Sequence, residues 1–456
     1  MKRRILFDLT DLVAWSGNLT GIQRVVYNLA VRIENEFQNV VFVRFNSEQK
    51  KFLKCSLREL SINIQKPDEP NRYDESNSLK NTIRNSKIYA LGKKHLPLTL
   101  KKIIARSARL LVYVIVVLKD LPKRIFTGEK EDLRVDDNIV EINDNDMIII
   151  TGAGWVREGF MDFLCIHKQL KKIHIEFFIH DLVPVLFPQF FNPGFGKYFA
   201  VYTFKMVEIG DSFSVQSQST RKDLLWFMKE MNFNERKVEV IRLGDNINHV
   251  NDKIFSCVLP QKPFLISVGT FESRKNYDLI YQAYKLAEGK RINLPPIVIV
   301  GRQGWLTNDL KYKIEVDPAV ENKIILRQDV SDEELDCLYR NCLFSVYPSF
   351  YEGWGLPVAE SLSYGKMCLS SETSSMPEIG SDLIEYFDPH DPISLLELLV
   401  KYSNEKELLK KVELKIVANY KPTMWDDTAK QYFKILRKTL HGKKETFIKK
   451  EKIVAN

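Results

Sequence analysis

Short apolar runs alternate with amphipathic stretches over the first half of the chain. The runs ILFDL, VVFVRF, DMIIITGAGW, IHIEFFIHD, FSVQS and VEVIRLG have the length and composition of buried strands, and RVVYNLAVRIENEF has the period of a helix. Strands joined by helices form parallel sheets with right-handed crossovers, and such sheets bind ligands at the carboxyl ends of their strands. The pattern therefore predicts an α/β fold.

A second series of the same kind begins near residue 263. It contains FLISVGTF, PPIVIVG, KIILRQ, LFSVYPS and MCLSS, with a helix expected from Tyr277. Periodicity is lost at residues 246–262, where we place an inter-domain linker. A chain of 456 residues is long enough for two domains. We predict one domain in 1–250, with an insertion at about 66–135, a second domain in 262–423 and a C-terminal helix in 424–442.

Composition and charge narrow the class of protein. A hydrophobic content of 45% and a charged content of 28% are typical of soluble globular proteins and argue against a disordered chain or a polytopic membrane protein. The net charge is +8, and residues 66–135 alone hold 16 Lys and Arg against 8 Asp and Glu. This distribution indicates a localised basic surface, and we expect no nucleic-acid partner.

The cysteines and one apolar segment give information about the cellular compartment and about membrane association. Six cysteines are scattered without a CxxC pair or a His at metal-ligand spacing, which predicts neither a zinc site nor a disulfide framework and fits a reducing cytoplasm. Within the basic segment 96–126, the apolar run LLVYVIVVL is about half as long as a bilayer span. This segment is either a core helix with solvated flanks or an amphipathic stretch that dips into an anionic membrane face.

The stretch SVYPSFYEGWGLPVAESLSYG, Ser345 to Gly365, carries the most specific chemistry. A buried strand runs into a turn in which Gly353 and Gly355 let bare backbone approach a ligand, and a helix then begins with amides that would face a phosphate. Glu352 and Glu360 can accept hydrogen bonds from sugar or ribose hydroxyls. The alternative is structural, because a carboxylate near a helix start is favoured by the macrodipole without any ligand.

Two charged pairs follow other predicted strands. Arg274 and Lys275, in GTFESRKNYDL, follow FLISV, where two cations would neutralise a diphosphate, or would form a solvated loop pair. His180 and Asp181 follow the strand IHIEFFI in the first domain. Two such α/β domains that face each other form a cleft, and we expect the strand ends of the first domain to face it. By itself, a single His is more often a structural hydrogen-bonding residue than a catalytic one.

A glycine-containing loop follows the first strand. Gly17 and Gly21 in SGNLTGIQRVVYNLA permit close backbone approach to a phosphate or sugar, or form a simple tight turn.

The string PSFYEGWGLPVAESLSYGKMCLSS resembles the signature of retaining glycosyltransferases of the GT-B fold, in the large family often numbered four, with Glu352 and Glu360 as its ExxxxxxxE pair. FFIHDLVPVLFP resembles the HD segment of bacterial sugar transferases. The resemblance implies two Rossmann-like domains that face each other across a cleft, with the helix in 424–442 crossing back to the first domain. Where many relatives carry a further glycine, this chain has Gln23.

The resemblance also implies roles for individual residues. Arg274 and Lys275 would bind and stabilise the departing diphosphate, Glu352 would bind donor-sugar hydroxyls, and Glu360 would hold the ribose. His180 would lie beside the donor sugar, and Asp181 would orient it or the acceptor. The full set of residues expected to contact the donor is Gly17, Gly21, Arg274, Lys275, Glu352, Gly353, Trp354, Gly355, Leu356 and Glu360.

The function that the resemblance implies is transfer of a sugar, with retention, from a GDP-linked or UDP-linked donor to a hydroxyl of a glycan or polyprenyl-linked oligosaccharide in bacterial surface-polysaccharide synthesis. No cofactor and no metal are expected, because the two cations would replace a divalent ion. Such acceptors favour the membrane interpretation of 96–126, and hence a cytoplasmic protein that is peripheral on the inner face of the plasma membrane. The alternatives are a GT-B nucleotide-sugar epimerase and a non-catalytic glycan-assembly subunit.

Overall fold

The structure is a computed structural model that describes residues 3–13, 15, 19, 21–58, 138–245, 258–260 and 263–441. Three sequence predictions fall outside these residues. They concern Gly17, the basic insertion at about 66–135 with its segment 96–126, and most of the linker at 246–262.

The first half of the described chain, residues 3–245, forms an eight-stranded sheet in the order β4-β3-β2-β1-β5-β6-β7-β8. The strand pairs are parallel except where β3 pairs with β2 and β4 at one edge. The strands are β1 (Ile5–Asp8), β2 (Val40–Asn46), β3 (Lys51–Lys54), β4 (Ile139–Val140), β5 (Met147–Ile150), β6 (His174–Ile179), β7 (Ser212–Val215) and β8 (Val238–Val240). Strand order reverses between β1 and β5, so a crevice opens at their carboxyl ends.

Helices cover the faces of this sheet. α2 presents an apolar face that includes Val25, Val26, Leu29 and Ile33, all of them fully buried, as the helical period of the sequence predicts. The helices of this half are α1 (Thr10–Val13), α2 (Gly21–Glu36), α3 (Phe160–Leu170), α4 (Val183–Leu186), α5 (Phe195–Ile209) and α6 (Gln218–Glu230).

The second half, residues 258–419, forms a six-stranded parallel sheet in the order β11-β10-β9-β12-β13-β14. Its strands are β9 (Leu265–Val268), β10 (Ile297–Val300), β11 (Ile324–Arg327), β12 (Ser345–Tyr347), β13 (Cys368–Ser371) and β14 (Glu385–Phe387). Its helices are α7 (Tyr277–Gly289), α8 (Asn308–Val316), α9 (Asp332–Asn341), α10 (Leu356–Ser363), α11 (Met376–Gly380), α12 (Pro392–Asn404) and α13 (Lys406–Asn419). Two largely parallel sheets with helical connections confirm the α/β prediction.

The order of strands in the second sheet reverses between β9 and β12. The loop after β9 carries Arg274 and Lys275, and the loop after β12 carries Glu352. Because adjacent parallel strands end at the same edge, these loops meet at the switch point of the sheet, where open α/β sheets bind ligands.

The last helix, α14 (Trp425–His441), returns to the first half and packs along α2. The rings of Phe37 and Phe433 lie 5.7 Å apart in an edge-on contact, and Arg32 pairs with Asp426 at 2.6 Å. Thr428 donates a hydrogen bond to the carbonyl of Arg242 at 2.9 Å, which ties the start of the helix to the segment after β8.

The cysteines depart in one respect from the sequence-based expectation. Cys55, Cys165, Cys342 and Cys368 are free, whereas Cys337 on α9 is disulfide-bonded. Among the helices within the described residues, none combines the length and the hydropathy needed to cross a bilayer.

We expect Leu436→Ala on α14 to lower the free energy of unfolding by ~2–5 kcal/mol, because it removes a fully buried side chain from the contact with the first half. Urea unfolding checks this value. Lys434→Ala on the exposed face of the same helix is the control and should change stability by no more than about 0.5 kcal/mol. Equal effects of the two substitutions would contradict the packing of α14.

Candidate functional site

A cleft of about 470 Å³ lies between the two halves, at the carboxyl ends of both sheets. Both halves contribute to its walls, and it gathers the site residues predicted from the sequence that lie within the described ranges. These are Gly21, His180, Asp181, Arg274, Lys275, Glu352, Gly353, Trp354, Gly355, Leu356 and Glu360.

The carboxylate of Glu352 is the centre of a buried charge cluster. Its Oε1 accepts hydrogen bonds from Lys275 Nζ at 2.7 Å, Tyr347 Oη at 2.9 Å and Ser349 Oγ at 2.6 Å. Its Oε2 accepts one from Arg274 Nη1. With so many donors engaged, Glu352 holds both cations in place, and its proposed contact with sugar hydroxyls stays a prediction.

Charge and burial act in opposite directions on this cluster. Burial would raise the pKa of Glu352, but the charges of Arg274 and Lys275 and the hydrogen bonds outweigh it and lower that pKa to about 2. Burial lowers the pKa of Lys275, although the charge of Glu352 opposes this shift. Glu352 is therefore a fixed anion at neutral pH, which makes it unsuited to proton transfer there.

Glu272 is a member of the cluster that the sequence analysis missed. Its Oε1 accepts from Arg274 Nη2 at 2.6 Å, and the residue is only 2% exposed. Two carboxylates thus face two cations. Within the described residues, Arg274 uses three of its five N–H groups and Lys275 two of its three, so each cation retains donor capacity for a ligand in the cleft. The only sequence signal for Glu272 is its place two residues before Arg274.

The glycine turn after Glu352 lies directly against the first half. A Cβ on Gly353 would stand 2.0 Å from the carbonyl oxygen of His180, a distance that no side chain allows. The carbonyl of Gly353 accepts a hydrogen bond from Thr220 at 3.2 Å. Gly355 has a φ of 126°, which favours glycine, and it immediately precedes α10. Glycine at 353 is therefore required for contact between the halves.

Other contacts also join the two halves. The rings of Phe190 and Phe350 stack with centroids 5.1 Å apart, one from each half. The carboxylate of Glu378 on α11 accepts the backbone N–H groups of Gln218 and Ser219 at 2.7 Å each. A carboxylate at the N-terminus of α6 satisfies amides that the helix itself leaves unbonded.

His180 is buried, and both ring nitrogens face protein acceptors. Nε2 lies 2.8 Å from the carbonyl oxygen of Thr151, to which it donates, and Nδ1 lies 3.2 Å from Gln216 Oε1. Burial lowers the pKa of His180, although these contacts and nearby carboxylates oppose the shift. Asp181 accepts from the N–H of Val183 at 3.1 Å. The structure brings His180 and Asp181 to the cleft, and their roles towards substrates stay predictions.

Glu360, the fifth of the eight residues of α10, lies in a separate polar group. Its Oε2 accepts from Tyr339 Oη at 3.0 Å and its Oε1 from Arg24 Nη1 at 2.9 Å. Burial raises the pKa of Glu360, while Arg24 and Tyr339 oppose that shift. Arg24 comes from the first half of the chain, and the sequence analysis did not identify it.

Two further observations concern ligands. The indole Nε1 of Trp354 is buried and has no hydrogen-bond partner within the described residues, and this side chain lines the cleft. The same part of the chain contains no group of three or more His, Cys, Asp or Glu side chains suited to hold a metal ion.

Comparison with known proteins identifies a domain. Residues 252–415 match the family described as glycosyl transferases group 1, which is about a third of the chain. The match covers Arg274, Lys275, Glu352 and Glu360. This part of the chain is therefore similar to group 1 glycosyltransferase domains, in agreement with the resemblance described for its motifs.

Two Escherichia coli proteins are among the similar sequences. The O-antigen chain mannosyltransferase B is 35% identical over 128 residues, which cover 28% of this chain and 33% of that protein. The serotype-specific mannosyltransferase WbdA is 24% identical over 281 residues, which cover 59% of this chain and 34% of that protein. The matched part thus spans about a third of the length of each relative.

Among solved structures, the crystal structure of Anabaena HepE in complex with UDP and glucose superposes with a TM-score of 0.56 at 11% identity. The match covers 95% of this chain and 99% of that one. A likeness at this identity concerns the fold alone, and it confirms the predicted GT-B fold of two Rossmann-like domains that face each other across a cleft.

We expect Gly353→Ala to push the halves apart, because the new Cβ meets a backbone oxygen that cannot move aside as a flexible side chain does. The free energy of unfolding should fall by ~1–3 kcal/mol, as for other overpacked sites. Small-angle scattering should show a larger radius of gyration. Gly289→Ala, where a Cβ meets nothing within 4 Å, is the control. An unchanged radius and stability for Gly353→Ala would refute the contact.

Glu352→Gln should destabilise the protein in a pH-dependent way. The folded-state pKa of about 2 lies below the ordinary value of 4.5, so the carboxylate adds stability above pH 4.5 and loses it as the pH falls towards 2. The gap in unfolding free energy between wild type and variant should be about 3 kcal/mol at pH 7 and shrink below pH 4.5.

Urea unfolding at pH 7, 5, 4 and 3 measures this gap. Glu407→Gln, an exposed position on α13, is the control and should show a small gap throughout. A gap for Glu352→Gln that stays constant across this pH range would show that the carboxylate is not held as an anion by Arg274 and Lys275.

Proposed function

We propose that this protein is a retaining glycosyltransferase of family four that uses a nucleotide-diphosphate sugar as its donor. The observation that carries the proposal is the buried cluster in which Glu352 holds Arg274 and Lys275 beside the start of α10, with Glu360 on the same helix. The group 1 family match over these residues and the GT-B fold support it.

The donor would bind along the wall formed by the second half. The diphosphate would meet Arg274 and Lys275, whose remaining donors suit phosphate oxygens, and the first-turn amides of α10 would add the positive end of a helix. The ribose hydroxyls would bind the carboxylate of Glu360. The sugar would then face the turn from Gly353 to Leu356 and the His180 segment of the first half, where the indole N–H of Trp354 offers a donor.

Transfer would proceed by front-face attack. The acceptor hydroxyl oxygen forms a bond to C1 of the donor sugar while the bond from C1 to the phosphate oxygen breaks, and the departing phosphate oxygen takes the acceptor proton. Arg274 and Lys275 would stabilise the negative charge that grows on the diphosphate, and this stabilisation needs no metal ion. Because Glu352 fixes both cations before the donor arrives, little reorganisation is needed during reaction.

The donor sugar and the acceptor are inferred from the relatives. Since both E. coli relatives are mannosyltransferases and one is an O-antigen chain enzyme, we propose mannose as the first sugar to test and a glycan or polyprenyl-linked oligosaccharide as the acceptor. Because the Anabaena structure contains UDP, we retain UDP-sugars together with GDP-sugars as candidate donors. Association of the basic segment 96–126 with an anionic membrane surface is part of the same proposal.

We expect the purified protein to release nucleotide from one of a panel of GDP-sugars and UDP-sugars when bacterial membrane extract is present, and to do so in EDTA. Arg274→Ala should reduce this release about 100-fold or more, because it removes one donor to the developing charge. A luminescent assay of free GDP or UDP gives the rate, and radiolabelled sugar in the lipid fraction shows transfer.

Arg340→Ala is the matched control. This exposed arginine on α9 pairs with the Asp336 carboxylate and lies over the ring of Tyr364, outside the residues that line the cleft, and its removal should leave full activity. Release without labelled product would favour hydrolysis or epimerase chemistry over transfer. No release from any donor, or equal rates for Arg274→Ala and wild type, would reject the proposed function. Loss of activity in EDTA that is restored by Mg²⁺ would reject its metal-independent form.

A further inference from the structure

Arg24 connects the two walls of the cleft. It lies on α2 of the first half, and its guanidinium donates to Glu360 Oε1 at 2.9 Å through Nη1 and to Asp332 Oδ1 at 2.6 Å through Nη2. Its Nε donates to the carbonyl of Leu19 at 3.3 Å, which anchors the side chain to its own half. The side chain is only 15% exposed. A planar fork between two carboxylates is a geometry that arginine alone supplies.

This contact favours the charged form of Glu360, which burial disfavours. It is 4% exposed and has a second carboxylate, Asp332, as a neighbour across Arg24. Among the described residues, its ion-pair partner is Arg24, and its other hydrogen bond comes from the neutral hydroxyl of Tyr339. A buried carboxylate without a cation would take up a proton more readily. The cation that favours the ionised form of Glu360, against the opposing effect of burial, therefore comes from the opposite half.

The contacts leave room for a ligand. A carboxylate offers about four lone-pair sites, and Arg24 and Tyr339 take one on each oxygen of Glu360. One site on each oxygen remains, which matches the two adjacent hydroxyls of a ribose. A nucleotide can therefore bind Glu360 while Arg24 stays in place.

We propose that Arg24 is a positioning residue of the donor site, which makes recognition of the ribose 2′,3′-diol depend on contact between the two halves. This inference rests on the proposed function, because it assumes that Glu360 holds the nucleotide ribose. Arg24 orients the carboxylate of Glu360 and favours its ionised form only when α2 lies against α9 and α10. By linkage, a ribose that binds this form of Glu360 favours the same contact.

Paired ribonucleotides and 2′-deoxyribonucleotides test this role by calorimetric titration of the full chain. GDP and UDP are each compared with dGDP and dUDP. Wild type should bind the ribose form of its nucleotide roughly tenfold more tightly than the deoxy form, since one hydrogen bond to a charged group is lost. In Arg24→Ala this preference should fall to near one, because the acceptor is no longer held, while the deoxy form binds about as in wild type.

Two variants complete the experiment. Arg32→Ala changes an arginine two turns further along α2 that pairs with Asp426 and should keep the wild-type ratio. Arg24→Lys retains a charge without the fork, so its ratio should be intermediate, and it replaces Arg24→Ala if that variant fails to fold.

The outcomes separate the two proposals. If wild type binds neither GDP nor UDP, the nucleotide-sugar function itself is rejected. If wild type binds and Arg24→Ala keeps the full ribose preference, the role of Arg24 is rejected and the function stands. Tighter binding of the ribonucleotide by Arg24→Ala than by wild type would also reject the role of Arg24, since Arg24 would then compete with the ribose. A wild type that binds both sugar forms equally would reject the ribose contact of Glu360.

Discussion

The buried ion cluster around Glu352 is the interaction on which the cleft depends. Arg274 and Lys275 follow one another in the chain, so their charges are forced close together where little water can screen them. Glu352 and Glu272 neutralise them, and Tyr347 and Ser349 complete the hydrogen bonds of Glu352. A buried charge cluster of this kind persists only when each member is paired. It also leaves two cations fixed at the place where a diphosphate would carry its charge.

The same turn that holds this cluster forms the boundary between the halves. Gly353 follows Glu352 and packs its bare backbone against the carbonyl of His180. A few residues later, Glu360 receives Arg24 from the first half. Binding chemistry and contact between the halves therefore reside in one short segment. In the proposed function, a donor bound to this segment would therefore be linked energetically to that contact.

Topology explains why these groups meet. In each sheet the strand order reverses beside the first strand, between β1 and β5 and between β9 and β12. In the second sheet, the loops after β9 and β12 carry Arg274, Lys275 and Glu352. α14 then returns from the second half to α2, the helix that also carries Arg24. The packing of α14 against the C-terminal end of α2 lies outside the cleft, and it thus supports the position of Arg24 relative to Glu360.

The sequence by itself determined the α/β class and the part of the chain that carries the chemistry. Apolar runs bounded by helical periods are local signals, and the glycine turn places Glu352 and Glu360 within one strand-turn-helix unit. The tertiary structure decided which groups surround them. Glu272 becomes a partner of Arg274 only through the fold of its loop, and Arg24 reaches Glu360 across 336 residues of chain. The tertiary structure also showed that Glu352 and His180 form hydrogen bonds with other residues of the same chain. Local patterns specify elements, but contacts between distant residues arise only when two sheets are brought face to face.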